Sequence, residues 1–581
     1  MAANQPIEDA IIIGIDFGTT FSGVAWAYSR EPDVMEIVTS WDAEFHHCSD
    51  VEKAPTQLWY DDNDDAAWGY SIPADKDALK WFKLLLLKED DLPADVAKSE
   101  QLANARRLQE GAKTKPIEII ACFLGKLWDH AIESMKRGIG AELLSMSKFH
   151  VVITLPAIWP PYAQKLMKQA ASLSGILDAR SCGDTTLRFV SEPEAAALAT
   201  IKDLSKRSTI KPGDTIVICD AGGGTVDLIS YVIESAEPFT VQTGALCGGV
   251  FLDENFINLI KSKVPKGSWE QVSTAQEKRF LNDGWEHGIK PQFANQDRLW
   301  LVDLPDACKD TPSRRAKRRR ALELSSEEIL SVFEPIADKI VSLVRRQSDA
   351  IEKKYHKQPK HIILVGGFGR SRYLFTRLQA EFKTTQSTVL QSQGSKPWTA
   401  ICRGAVVHEL SKQNLSPYLG VRVAARIARM SYGIIHGEPF DASRHLQVDK
   451  KWCEVEQMYM SYSQMTWFLK EGDDITTKHP VRHSFYQLYS KSMGYIKTNI
   501  YCSASHPSPS RRDHTVERMC RIKWNRPVSL ESLPTHINPI GTVYRQLDFT
   551  VEMTCEDGTV DFTVYYKGDR VAAQSVEVEF D

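Results

Sequence analysis

At 581 residues, with 43% hydrophobic and 25% charged residues, the chain is too long for one compact core and too ordinary in composition for a fibrous repeat or a disordered protein. A formal charge of -4 lacks the basic surplus that nucleic-acid or anionic-membrane binding calls for, so neither partner is expected. The 11 cysteines stand without a Cys-x-x-Cys pair, which disfavours zinc and a disulfide framework and fits reduced thiols in the cytoplasm.

Met1 to Ala10 is polar and acidic, so no secretion signal is expected. The apolar run Leu84 to Leu87, hemmed by Lys83 and Lys88, falls far short of the ~18 residues of a membrane span. Ile11 to Ile13 reads as a strand, Gly14-Ile15-Asp16-Phe17-Gly18-Thr19-Thr20 as a turn, and Val24 to Tyr28 as a returning strand. Phe149 to Leu155 is a buried-strand pattern, and Pro160-Pro161 opens a helix over Tyr162 to Leu173. Leu187 to Val190 and the alanine-rich Glu194 to Thr200, opened by Ser191-Glu192-Pro193, repeat this βα plan.

The strand-turn-strand order then returns as Ile216 to Cys219, Asp220-Ala221-Gly222-Gly223-Gly224-Thr225 and Val226 to Ile233. Two copies, each heading strands and helices, predict two duplicated α/β lobes around a shared cleft. Ser325-Ser326-Glu327-Glu328 is a helix start signal for the periodic segment to Ala350. His361 to Val365 follows as a strand, Gly366-Gly367-Phe368-Gly369-Arg370 as a turn and Ser371 to Phe382 as a helix. Beyond Ser416 the texture becomes alternating strands: Thr466 to Leu469, Ile496 to Cys502, Arg521 to Trp524, Leu547 to Thr554, Val560 to Tyr566 and Val571 to Phe580. Asp557-Gly558 and Lys567-Gly568-Asp569 supply hairpin turns. The expected domains are lobe I over 1–212, lobe II over 213–410 with a return to lobe I at its end, a linker over 411–420 and a mainly antiparallel β-domain over 421–581.

A loop holds a phosphate chain when its amides converge and no Cβ blocks the approach, which Gly18 and Gly222 to Gly224 allow. Thr19, Thr20 and Thr225 add hydroxyl donors. Asp16, Asp220 and Asp227 would repel phosphate unless a cation intervened, and magnesium, held directly or through water, is the natural one. One Asp-x-Gly-Thr is a weak signal because Asp and Gly crowd ordinary turns; two copies are much stronger. The rival Gly-x-x-x-x-Gly-Lys-Ser/Thr loop is absent from the sequence.

Ile13 to Thr20, Cys219 to Asp227 and Leu364 to Arg370 resemble the phosphate-one, phosphate-two and adenosine motifs of the actin-like ATPases. Val152 to Ala157, Ser191 to Ala197 and Cys247-Gly248-Gly249 are similar to segments of the seventy-kilodalton heat-shock chaperones, in matching order over about residues 10 to 410. The resemblance implies ATP and ADP with Mg2+, Thr19 and Thr20 at the β- and γ-phosphates, Gly222 to Thr225 closing over them, and Gly248 and Gly249 completing the cradle. It implies Lys83, Glu192, Asp220 and Thr225 as the catalytic set, and Asp16, Asp220 and Asp227 around the metal. Glu286 and Lys290, with Gly366, Gly367, Gly369 and Arg370, would meet the nucleoside, the arginine plane stacking on adenine. Left open are a solvated helix-surface role for Lys83, a helix-terminus charge for Glu192 and a plain tight turn at Gly366.

The chain departs from the family at Phe368, where a small hydroxyl residue stands, at Trp398, near an acidic position, and at Ser411 to Pro417, in place of an acidic-bounded leucine run. No helical lid is expected after the β-region, as in the divergent lidless members. The family also implies unfolded polypeptide as client and a co-chaperone or exchange factor as partner. Two alternatives stand beside an ATPase chaperone: a nucleotide-binding scaffold with little turnover and a small-molecule kinase of the same superfold. Arg314 to Arg320 reads as a nuclear-import signal, a site for acidic partners or a solvated insertion loop; Met458, Met460 and Met465 with Tyr459, Tyr462 and Trp467 read as a peptide groove or a β-domain core.

Overall fold

The computed structural model describes residues 9–579 apart from 45–47, 62–64, 93, 157–158, 206–213, 233–242, 246–247, 310–320, 386, 414, 416–425, 428–429, 472, 476–479, 491–495, 504, 506, 525–526, 557–558 and 574–577. The basic run from Arg314, the Asp557-Gly558 turn, Cys247 and most of the expected linker lie outside the described residues. The chain divides into two compact units, one spanning 1–235 and 239–422, the other 236–238 and 423–581.

The first unit holds two sheets of matching topology. In the first, β1 (Ala10–Phe17) runs antiparallel to β2 (Phe21–Tyr28) and parallel to β3 (Lys148–Leu155), which is parallel to β4 (Thr186–Ser191). In the second, β5 (Thr215–Ala221) runs antiparallel to β6 (Val226–Val232) and parallel to β7 (His361–Val365), which is parallel to β8 (Thr388–Gln391). The duplication read from the two turns is therefore a duplication of whole sheets. Every residue of β1 and β5 is buried, so these central strands lack polar alternation because both faces are covered.

Helices cover the sheets where the sequence places their start signals. Pro161–Leu173 begins behind Pro160, and Ser326–Tyr355 is capped by Ser325, whose hydroxyl accepts from the Glu328 N–H while the Glu328 carboxylate takes the Ser325 N–H. The helix Glu192–Ser205 starts on the glutamate itself, and Ala400–Lys412 crosses the first sheet. The second of these extends past the expected lobe boundary at residue 410, so Ser411 and Lys412 belong to the helix and not to a linker.

Two glycines set how closely Ala400–Lys412 approaches. A Cβ on Gly14 would stand 2.3 Å from the Cys402 carbonyl oxygen, and one on Gly404 would stand 1.7 Å from the Ala195 carbonyl oxygen. Ile12, Ala25 and Ala27 from the strands meet Cys402, Val406 and Leu410 from the helix in one cluster. This packing fixes β1, and with it Asp16 near the end of the strand.

The second unit is all β. One antiparallel sheet runs Lys450–Cys453, Met458–Leu469, Ser431–Pro439, Lys497–Ser503, Glu517–Lys523 and Val578–Glu579; the other joins Val481–Tyr489, Val543–Glu556, Thr559–Tyr566 and Asp569–Ala573. The expected single strand Val571 to Phe580 is thus two pieces in different sheets. The sheets share a core that includes Ile500, Ile522, Trp524, Phe549 and Phe562. Of the Met and Tyr set, Met460 and Met465 are buried while Met458, Tyr459 and Tyr462 are exposed, a split that strict alternation would not give, since Met458 and Tyr462 stand two positions from Met460.

Gly404→Ala is expected to destabilise the first unit by about 3 kcal/mol, because both clashing atoms are held by helix backbone. Gly111→Ala is the control: its Cβ would meet nothing within 4 Å, so the substitution should stabilise by roughly 0.5–1 kcal/mol through helix propensity. Thermal unfolding of both variants checks this, and equal midpoints would contradict the close approach. In the second unit Arg511 bonds both oxygens of the buried Asp449, at 2.6 and 2.7 Å, and holds that carboxyl below its usual range. The pair therefore stabilises above the unfolded value near pH 4 and is lost as pH falls through the lower folded value. Arg511→Met should cost about 2 kcal/mol at neutral pH and flatten the acid limb of a denaturation series.

Candidate functional site

Each hairpin turn follows an aspartate on a fully buried strand. Asp16 pairs with Gly23 across the first hairpin, and Asp220 pairs with Asp227 across the second. The turns meet across the lobes: a Cβ on Gly223 would lie 2.0 Å from the Thr20 Oγ1, and one on Gly224 would lie 3.9 Å from the Thr19 Cγ2. Gly248 packs behind them, where a Cβ would stand 2.4 Å from the Gly223 carbonyl oxygen. The Gly249 and Val250 amides donate to the Gly222 and Gly223 carbonyls at 3.1 and 2.8 Å. Thr56 braces the first turn, its N–H donating to the Thr20 carbonyl at 2.8 Å and its hydroxyl to the Gly18 carbonyl at 2.9 Å.

Four carboxylates gather behind the turns. Glu192 is the first residue of its helix, and its Oε1 accepts from the Lys83 Nζ at 2.6 Å. Lys83 is 1% exposed, with its ammonium 5.6 Å from the Phe17 ring centroid and 5.3 Å from that of Trp159, so the solvated-surface role left open by the sequence does not hold. Burial pushes the Glu192 carboxyl above its ordinary range against the pull of Lys83. Asp220 is pushed well above its range by burial and by the nearby charges of Glu192, Asp227 and Asp16. Its Oδ1 has no hydrogen-bond partner and lies where a Cβ on Gly366, at φ +88°, would come within 2.4 Å. The Thr225 hydroxyl donates to Asp227 at 3.4 Å.

Lys53, which the motifs do not point to, completes the cluster. Its ammonium forms a buried ion pair with the Asp16 carboxylate, whose side chain is 2% exposed. Burial opposes the lysine's charge, yet Asp16 and its other neighbours outweigh it and hold the ammonium above its ordinary range. The magnesium expected around Asp16, Asp220 and Asp227 is therefore at odds with the arrangement at Asp16: a fixed cation already neutralises that carboxylate. Among the described residues no group of three or more His, Cys, Asp or Glu is arranged to hold a metal. These residues do not fit a divalent ion bound at Asp16.

The expected nucleoside end converges with different internal partners. Lys290 donates to Asp253 at 2.8 Å and to Glu286 at 2.7 Å, and the Trp285 Nε1–H also donates to Asp253 at 2.7 Å. A Cβ on Gly249 would lie 3.7 Å from both the Lys290 Nζ and the Phe368 Cβ, which joins this helix to the phosphate cradle and to the Gly366 turn. Arg370 has its guanidinium 5.3 Å from the centroid of Trp398. Trp398 also packs edge-on to Phe21 at 5.7 Å and lies 3.4 Å from a Cβ built on Gly367. The arginine expected on adenine thus lies within cation–π range of an aromatic ring of the chain. Gly369 packs on Leu364, and its carbonyl accepts from Gln391 at 2.6 Å, so it serves the turn. Lys53 and Asp253 escape sequence reading because each acts on a residue 37 positions away.

Lys83→Met should cost about 3 kcal/mol of stability by leaving Glu192 buried without its cation, and the double variant Lys83→Met, Glu192→Gln should recover at least half of that. Urea unfolding of the two variants measures it. A cost below about 0.5 kcal/mol for the single variant would mean that solvent screens the pair.

Among known proteins, the sequence model described as Hsp70 protein matches residues 87–408, more than half of the chain, and one described as a domain of unknown function, DUF8568, matches residues 426–578. The chain is 24% identical over 463 residues to human heat shock 70 kDa protein 12A, covering 64% of this chain and 66% of that protein. It is 22% identical over 608 aligned positions to human heat shock 70 kDa protein 12B, covering 89% and 84%. With a chaperone protein HscA homolog of Acinetobacter baumannii it shares 27% identity over 382 residues, 64% of this chain and 53% of that one. The matches to the 12A protein and to the bacterial chaperone thus span less than two thirds of those proteins. The matched sequence, the duplicated sheets and the paired turns agree: the chain belongs to the Hsp70 family, with an ATP-binding fold of the actin-like type.

Proposed function

We propose that the chain binds ATP between its two lobes, hydrolyses it to ADP and phosphate, and couples nucleotide state to polypeptide binding by the C-terminal β-domain. The observation that supports this best is the meeting of the two glycine turns, Gly223 against Thr20, over a buried carboxylate with an unpartnered oxygen. Gly18 to Thr20 and Gly222 to Thr225 bound the phosphate chain, and Gly248 and Gly249 back the second turn. Asp220 accepts the proton of the attacking water through its Oδ1, which no protein donor occupies. Lys83 keeps Glu192 charged and oriented at the same point. Chaperone action is carried over from the printed name of the HscA relative, and a client polypeptide and an exchange factor are the partners that the family resemblance implies. No disulfide joins the ten described cysteines, which is consistent with a cytoplasmic location.

A second reading, a nucleotide-gated scaffold with little turnover, draws on two features. Lys53 occupies the Asp16 carboxylate, and Trp398 packs against the Gly366 turn and Arg370.

Isothermal titration of the full chain with ATP and ADP is expected to show one site, and Gly223→Val is expected to abolish it because the added Cβ would overlap the Thr20 hydroxyl. A folded sample that binds neither nucleotide would overturn the reading. Single-turnover hydrolysis separates the two versions: Asp220→Asn should slow it by about 100-fold or more if the aspartate is the base. If bound ATP persists for hours and that substitution changes nothing, the scaffold reading stands in place of turnover.

A further inference from the structure

Lys53 is built into the first phosphate turn. It directly precedes the short strand Ala54–Pro55, which pairs with β2 through Phe21 with Pro55 and Ser22 with Ala54. Three residues on, Thr56 grips the Gly18 and Thr20 carbonyls. The lysine stem runs beside Gly23, the residue opposite Asp16 in the hairpin: a Cβ on Gly23 would lie 2.8 Å from the Lys53 Cγ and 3.4 Å from its Cδ. The bare Cα of Gly23 thus makes the slot through which the stem reaches Asp16. The ammonium is buried against that carboxylate, and its field reaches Asp220 in the other lobe. The neighbouring thiol, Cys402, donates to the Thr399 carbonyl at 3.2 Å, and burial pushes it up to about 12, so it stays neutral.

We propose that Lys53 is the resident cation of the nucleotide cleft, so that a nucleoside di- or triphosphate binds without a divalent metal. A polyphosphate approaching Asp16 needs that carboxylate neutralised, and an ammonium on a fixed stem does this at every metal concentration. The same ammonium repels a dication from the Asp16 side and occupies the Asp16 Oδ2 that a directly bound dication would use. The inference rests on the reading that the cleft binds nucleotide; it adds which charge makes that binding possible.

The test is binding of ATP and ADP to the full chain, stripped with EDTA, in excess Mg2+ and in EDTA alone. The dissociation constants in the two conditions are expected to agree within about threefold. Lys53→Met, which keeps the length of the stem and removes the charge, should bind at least tenfold more weakly in EDTA and regain affinity when Mg2+ is added. Wild-type binding that weakens tenfold or more in EDTA overturns the inference while leaving nucleotide binding intact. Binding in neither condition by a folded sample defeats the nucleotide reading itself, and this inference with it. The wild-type arm needs no variant, so poor folding of Lys53→Met would not obscure the answer.

Discussion

Burial and neighbouring acids raise the proton affinity of Glu192 and Asp220, and a chain that buries these two carboxylates beside Asp16 must provide charge or protons to keep them there. Two lysines, Lys53 and Lys83, supply the charge, each buried against one acid. Asp220 is left with no lysine bonded to it and an oxygen facing no donor. Much of the first unit serves this arrangement. The two central strands carry the aspartates, the Ala400–Lys412 helix pins the first strand through glycine contacts, and the Thr56 bridge holds the first turn. An unpaired buried oxygen is costly in a folded protein, and its persistence here marks where a ligand or water is to be met.

The architecture was legible where it rests on local chemistry. Strand-turn-strand order around Asp16 and Asp220 can be read because Gly and Thr must follow the aspartate directly, and the Ser325 cap because its four residues are contiguous. The Pro161 helix and the antiparallel texture after Ser416 are equally local. Illegible were the pairings made by folding. Lys53 sits in a segment with no motif, and its meaning appears only when the Ala54–Pro55 strand is laid beside β2. Asp253 is one of two acids in its helix, and only the fold sets it between Lys290 and Trp285. The split of the last expected strand between two sheets depends on long-range pairing of Val578 with Ile522, which alternation cannot report.

Departures from the family pattern acquire physical content in the structure. Trp398 joins the Gly366 turn, Arg370 and Phe21, so the end expected to meet adenosine carries an aromatic contact of the chain's own. Phe368 is buried among the aromatic rings of the second lobe, 6.4 Å from Phe333, and so contributes to the core beneath the turn. Lys290 donates to both Asp253 and Glu286, so its ammonium is engaged by two acids of the chain before any ribose is met. On the proposed reading, such a site would keep the phosphate turns of the fold while changing what surrounds the base and the cation.

The central claim is that one ligand engages both glycine turns at once. Amide hydrogen exchange on the full chain, with and without ATP, measures this directly. A nucleotide held between the lobes should jointly protect residues 18–20 and 222–225 on addition of ATP, together with the Gly366 turn. Protection of one turn alone, or of neither, would contradict a nucleotide held between the lobes.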